Sequence, residues 1–252
     1  MKFSVGSVSG LLLAGCATAF NLIQPKRFSA RSTLKNAARG DSPTALSMGL
    51  TIYGHPGTRS PLVNWGATEL GLDFSMGDLS KNPHPFGQIP CVTDDDDVLV
   101  FESGAILQYF HSLTKDDLLS KSEAASVTSW ITWANASLDP ICFLETPEGK
   151  VYDTGLKKPN KRIDKLNDIL SSQKFLVSDE KFTLADVAVA SYLLYVIQFF
   201  PGIDISRWPD VVRYMKDCAS RPGYGAAFGD KTQAYLLSQL GEQKPKKMFG
   251  VF

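Results

Sequence analysis

Two places in this chain gather groups suited to holding a small anionic molecule. Glu102-Ser103 stands where a β-rich stretch gives way to an apolar-periodic helix carrying Ala105, Ile106, Tyr109 and Phe110. The unpaired N–H groups of a helix start, joined by the Ser103 hydroxyl, favour a carboxylate. Upstream, Ile89-Pro90 marks the entry of a strand, where proline has no N–H to offer a sheet ladder. An X-Pro bond at such a corner is a candidate cis peptide, because proline lowers the trans preference to about 0.5–1 kcal/mol. An extended backbone held before Pro90, with its N–H and C=O free, would pair with a short peptide whose anionic end rests at Glu102-Ser103.

The elements that must position these groups follow from residue type. Cys91-Val92-Thr93 and Val98-Leu99-Val100-Phe101 read as strands joined by the Asp94 to Asp97 turn. Ahead of them, Leu50-Thr51-Ile52-Tyr53 is a strand, and Gly54-His55-Pro56-Gly57-Thr58-Arg59-Ser60-Pro61 is a turn-rich loop. Ser60 is expected to cap the helix marked by Leu62, Val63, Trp65 and Leu70, with Pro61 in its first turn and Gly71 closing it. Phe74 and Met76 fit another strand. Beyond a polar connector from Leu113 to Lys121, everything reads as helix. Val127, Trp130, Ile131, Ala134 and Leu138 recur at helical spacing until Pro140 bends or ends the run, and Lys161 to Leu170 is amphipathic. Thr183-Leu184-Ala185-Asp186 is a capping box ahead of an apolar run through Phe199, a helix that must be central to its domain.

Composition narrows the function classes. The 252 residues balance 26 Lys+Arg against 26 Asp+Glu, but residues 1–47 hold six of the bases and one acid, leaving a mildly acidic body. Such a body has no electrostatic footprint for nucleic acid. Residues 1–19 pair a basic start with a brief apolar run, too short to span a membrane as a stable helix. Residues 20–47 are Arg/Lys-, Ser- and Ala-containing and poor in acids, like an organelle transit peptide. Cys91, Cys142 and Cys218 form no CxxC pair and read as reduced, buried thiols. His55, His84 and His111 lack metal spacing, and the Asp94 to Asp97 run lacks the alternating ligands of a calcium loop, so no metal site is expected.

Gly87-Gln88-Ile89-Pro90, followed by Glu102-Ser103-Gly104-Ala105-Ile106, resembles the glutathione-binding signature of the glutathione transferase superfamily. The Thr183 box and Trp208-Pro209 through Arg221-Pro222 are similar to the same family's helical domain, so the resemblance covers about residues 50–230. It implies an α/β thioredoxin-like domain at 48–112 and an all-α domain at 122–235, with a presequence at 1–47 and a loose tail at 241–252. The second helix usual in the family is shortened to SKNPHP. By the same resemblance Ile89, before Pro90, pairs with the cysteinyl backbone of glutathione, and Glu102 and Ser103 hold its γ-glutamyl end. Gln88 adds side-chain contact, and Lys81 and His84 are candidates for the glycyl carboxylate. Glutathione enters as substrate rather than cofactor.

The family stabilises the glutathione thiolate with a hydroxyl, or a cysteine, in the loop after the first strand. A thiol with a reference pKa near 8.5 is only about 3% ionised at pH 7. A charge-assisted hydrogen bond of roughly 1.5–3 kcal/mol raises that fraction about tenfold or more. The loop offers Ser60 and Thr58. Counted back from Gly71, Ser60 falls where the bacterial beta class has a serine and Arg59 where that class has its catalytic cysteine; phi-type enzymes place their serine nearer Gly57 or Thr58. With no cysteine there, the thiol-exchange branches are disfavoured. Tyr53 reads as a strand side chain and Cys91 as core.

The reading that follows is a glutathione transferase acting on small hydrophobic electrophiles and on hydroperoxides, with His55, Trp130 and Trp133 lining the co-substrate pocket. A homodimer is expected from the resemblance, with neither nucleic acid nor membrane as partner. The Ala17-Thr18-Ala19-Phe20 join is similar to presequences of algae with secondary plastids, which implies a plastid location; secretion or the cytoplasm are the alternatives. Two rival functions stand beside the enzyme: a non-catalytic interaction module, as in elongation factor gamma subunits, and a carrier of hydrophobic ligands.

Overall fold

A computed structural model of the chain describes residues 49–114 and 119–243. The expected presequence, Cys16 and the tail from residue 244 onward lie outside the described residues.

The amino-terminal lobe is a four-stranded sheet in the order β2-β1-β3-β4. β1 (Leu50–Tyr53) runs parallel to β2 (Phe74–Met76), and α1 (Ser60–Glu69) connects them. β3 (Cys91–Thr93) lies antiparallel to both β1 and β4 (Leu99–Phe101). Only a 3₁₀ turn at Leu79–Lys81 stands in the shortened segment before β3. The strand limits follow β-branched and apolar runs, and Asp94 organises the turn by accepting from the N–H groups of Asp96 and Val98. After β4, α2 (Ser103–Leu113) returns across the sheet and buries Ile106, Leu107 and Phe110.

The helical lobe begins with α3 (Lys121–Trp133), capped by a reciprocal Ser120–Glu123 box. The helix does not stop at Pro140. It loosens into a π-helical segment at Ala134–Leu138 and then tightens into α4 (Asp139–Cys142), whose first turn accommodates the proline. The expectation of helix throughout this lobe is not met. A short antiparallel hairpin, β5 (Leu144–Glu145) with β6 (Val151–Asp153), precedes α5 (Lys161–Ser172). Its strands are two and three residues long and largely exposed, so they carry no apolar alternation.

α6 (Leu184–Phe199) is the centre of this lobe, buried from Leu184 through Ile197. Thr183 and Asp186 close the expected capping box. α7 (Pro209–Ala219), α8 (Pro222–Phe228) and α9 (Asp230–Glu242) complete the lobe. The buried Trp65 of α1 meets Tyr224 of α8 edge to face at 5.0 Å. Glu69 receives Trp65 Nε1 and both Nε and Nη2 of Arg221. α8 thereby fixes α1, and with it the loop that α1 carries, against the helical lobe.

Candidate functional site

The Ile89-Pro90 peptide is cis. The β3–β4 register pairs Cys91 with Phe101, so Pro90 immediately precedes and Glu102 immediately follows the last residue pair of the hairpin. Pro90 is buried while Gln88 is exposed, and the Gln88 carbonyl accepts Asn82 Nδ2 at 2.8 Å. At the other side Glu102 is exposed with φ 69 and ψ 122, a left-handed conformation that costs a non-glycine residue about 1–3 kcal/mol. Strain held at the head of a helix, beside free N–H groups, is the kind of arrangement that binding sites retain.

Ser103 is buried, and its hydroxyl donates to Asn135 Oδ1 at 3.1 Å. Tyr192 donates to the same oxygen at 2.9 Å. Burial pushes the Tyr192 phenol up to about 12, so it stays a donor at neutral pH. Gly104 permits this approach, since a Cβ there would lie 2.6 Å from Asn135 Nδ2.

The two candidate hydroxyls of the β1–α1 loop are joined to each other. Thr58 Oγ1 and Ser60 Oγ lie 2.8 Å apart, Thr58 Oγ1 donates to the His55 carbonyl at 2.8 Å, and Ser60 Oγ accepts the His55 N–H at 3.1 Å. Ser60 was expected to cap α1. Arg59 holds the cap position instead, with no side-chain cap bond, and Ser60 is the first helical residue. The Ser60 side chain is buried against Gly54, where a Cβ would collide with its Oγ. Tyr195 of α6 donates to the Thr58 carbonyl at 3.2 Å, tying the loop to the helical lobe.

Arg59 reaches into the helical lobe. Its Nη2 lies 2.7 and 2.6 Å from the two oxygens of Asp139, and its guanidinium sits 5.8 Å from the Tyr192 ring centre. Burial works against this charge, but the Asp139 carboxylate outweighs it, and the guanidinium titrates above its ordinary range.

The remaining expected residues lie apart from these contacts. His84 is buried, its ring 4.7 Å from that of Phe101 and its Nδ1 accepting the Phe86 N–H. Lys81 is exposed at the end of the 3₁₀ turn. His55 is exposed, its Nδ1 taken by the Gly57 N–H. Trp130 and Trp133 pair edge to face at 5.4 Å, half-buried on α3. Asp139, Pro140, Phe143, Leu144, Glu145 and Tyr152 line an open cleft of about 330 Å³ that the Arg59–Asp139 pair borders.

Comparison with known proteins now decides the family. Residues 48–112 match the glutathione S-transferase N-terminal domain, and residues 125–222 match the glutathione S-transferase C-terminal domain. The chain belongs to the glutathione S-transferase superfamily. Among solved structures, glutathione S-transferase III in apo form is 28% identical with a TM-score of 0.57, covering 72% of this chain and 96% of that one. Glutathione S-transferase-I bound with lactoylglutathione is 26% identical with a TM-score of 0.58, covering 71% and 98%. Among curated proteins, elongation factor 1-gamma of Rattus norvegicus is 27% identical over 195 residues, 69% of this chain and 44% of that protein. The chain therefore spans less than half of the elongation factor it matches. Glutathione S-transferase aclG of Aspergillus oryzae is 28% identical over 156 residues, 55% of this chain and 71% of that one.

Within this superfamily member, three site residues escape a reading of the sequence: Asn135, Asp139 and Tyr192. Tyr192 and Tyr195 carry the clearest signal, since phenols inside an otherwise apolar buried helix require partners for their hydroxyls. Asn135 follows Ile131 by one turn, in the π-helical segment that continues from α3, and as a half-buried amide it also asks for a polar partner.

Proposed function

We propose that this chain is a glutathione transferase that binds the tripeptide between Ile89-Pro90 and Glu102-Ser103 and activates its thiol at the Thr58–Ser60 hydroxyl pair. The observation that carries this reading is the cis Ile89-Pro90 peptide, which enters β3 at the same end of the hairpin from which β4 leads into the strained head of α2. The bound structures of similar transferases, such as the one holding lactoylglutathione, support glutathione as the ligand.

Ser60 is the thiol-activating residue in this reading. With the Thr58 hydrogen given to His55, the hydrogen between the two hydroxyls belongs to Ser60. An incoming sulfur replaces Thr58 as its acceptor, and a hydrogen bond to the ionised form lowers the thiol pKa. The thiolate then attacks an electrophilic carbon, forming a C–S bond as the leaving group departs with the bonding pair, or attacks an organic hydroperoxide, breaking its O–O bond to give the alcohol and a glutathione sulfenic acid that a second glutathione converts to the disulfide and water. The open cleft beside Asp139 is a place for the second substrate. Homodimerisation belongs to the same reading, and Phe86, 76% exposed, is a candidate contact for it.

Retention on immobilised glutathione, with conjugation and peroxidase assays on residues 48–252, tests the proposal. Binding with turnover is expected. Binding without turnover would instead favour a carrier, and absence of both would favour a non-catalytic module related to the gamma elongation factors.

A further inference from the structure

The β5–β6 hairpin is irregular. Its register slips between Leu144 and Glu145. In a regular strand two successive side chains leave on opposite faces, and a bulge re-aims one of them. Phe143, Leu144 and Glu145, consecutive in the chain, accordingly all line the open cleft, together with Tyr152 of β6 and with Asp139 and Pro140 of α4. Tyr152 is 63% exposed, an aromatic ring that the fold leaves largely uncovered. The charges here do not balance. None of the six lining residues is basic, and Asp139 spends both its oxygens on Arg59 Nη2. Glu145 is exposed, and its carboxylate accepts no hydrogen bond among the described residues. One guanidinium thus answers two carboxylates, while the other charges of the hairpin segment, Glu148, Lys150, Asp153 and Lys157, cancel.

We propose that the hairpin makes this cleft selective for electrophiles that carry a cationic group on an apolar frame, with Glu145 and Tyr152 as the specificity-determining residues. The proposal rests on the reading of the cleft as the place of the second substrate, and it names the chemical class of that substrate. An aromatic face attracts a cation through its quadrupole, and an unanswered carboxylate adds Coulomb attraction. The same two features repel or ignore an anion. At about 330 Å³ the cleft stands at the small end of ligand sites, room for a single substituted ring. The reaction is otherwise unchanged. The glutathione thiolate forms a C–S bond at the activated carbon as the leaving group departs with its electron pair, and the cation takes no part in the bonding.

Three amides of 4-chloro-3-nitrobenzoic acid, which share one reacting ring, test this. Their amide substituents are the cationic 2-(trimethylammonio)ethyl, its uncharged isostere 3,3-dimethylbutyl, and the anionic 2-sulfoethyl. Dividing each kcat/KM with glutathione by the uncatalysed rate constant removes differences in ring reactivity. The cation should exceed its isostere by about two- to fivefold, the size of an exposed cation–π or ion-pair contact, and the anion should rank last. Glu145→Gln should pull the cation-to-isostere ratio toward one, Tyr152→Leu should lower it in part, and added salt should shrink it. An anion that ranks first, or a ratio that Glu145→Gln leaves unmoved, would overturn the proposal. The matching 3-nitrobenzamides, which lack the leaving chloride, separate this failure from that of the transferase reading. Calorimetric binding that favours the cation without turnover of the chlorinated amides upholds the cleft assignment and overturns the transferase. Turnover without charge preference does the reverse, and absence of both overturns both.

Discussion

Arg59 and Asp139, eighty positions apart, form a two-oxygen contact through a single guanidinium nitrogen at 2.7 and 2.6 Å. The pair joins the loop of the sheet lobe to the start of α4. Its side chains are 42% and 23% exposed, so solvent screens it and its net contribution is about 1 kcal/mol or less. Arg59→Ala and Asp139→Ala should each lower the urea midpoint modestly. In the double variant the losses should not add, because each removes the same contact. Full additivity would mean the contact contributes nothing to folding.

Ser60→Ala should reduce turnover with a model electrophile by about tenfold or more, the equivalent of one hydrogen bond to a charged group. Glutathione affinity should change little, because the peptide is held elsewhere. The pKa of the bound thiol, followed by thiolate absorbance, should rise. If it is unmoved, Thr58→Ala becomes the variant expected to move it.

Glu102 holds a conformation that glycine adopts freely. Glu102→Gly should therefore relieve backbone strain, offset in part by the greater freedom of the unfolded chain, and change the melting temperature only slightly or raise it. The same variant should weaken glutathione binding, since it removes the carboxylate beside Ser103. A variant that loses stability and retains full affinity would contradict a binding role for this strain.

The stability of the helical lobe should depend on pH through Asp186. Burial raises this carboxyl from 3.8 to about 6, although the N–H groups of Leu176 and Thr183 and the hydroxyls of Tyr214 and Thr183 pull the other way. Below about pH 4 the group is protonated in both folded and unfolded chains, and no penalty applies. Between about pH 4 and 6 the unfolded chain ionises first, so this group makes stability fall as pH rises, levelling off above 6 after a loss of about 3 kcal/mol. Asp186→Asn should cost stability overall yet remove that slope. Urea unfolding of both proteins across this range measures it; parallel curves would dismiss the effect.

Local chemistry made much of the fold legible. The limits of β1 and β3, the cis corner, the shortened segment before β3 and the Thr183–Asp186 box all follow from residues within a few positions of one another. What escaped is either too short or too distant. Val151-Tyr152-Asp153 buries too little to show a pattern, and the π-helical turn at ANASL keeps the apolar spacing of an ordinary helix, so nothing in the segment marks it. Ser60 looked like a cap because serine favours that place, yet its hydroxyl satisfies Thr58 and the His55 N–H instead. The packing of the His84 ring beside Phe101, with its Nδ1 accepting the Phe86 N–H, is likewise set by the fold rather than by its neighbours in sequence. Arg59–Asp139 and Ser103–Asn135 depend on chain paths that no window of sequence contains.

The phenols of Tyr192 and Tyr195 sit less than one turn apart on the same buried helix, yet they serve different elements, the head of α2 through Asn135 and the β1–α1 loop through the Thr58 carbonyl. A slip of α6 by one residue, about 1.5 Å of rise, would release both contacts together. Alignment of the candidate site is thus inherited from the buried helix at the centre of the helical lobe. Lesions along that helix, remote from any bound molecule, would silence it as thoroughly as lesions at its rim.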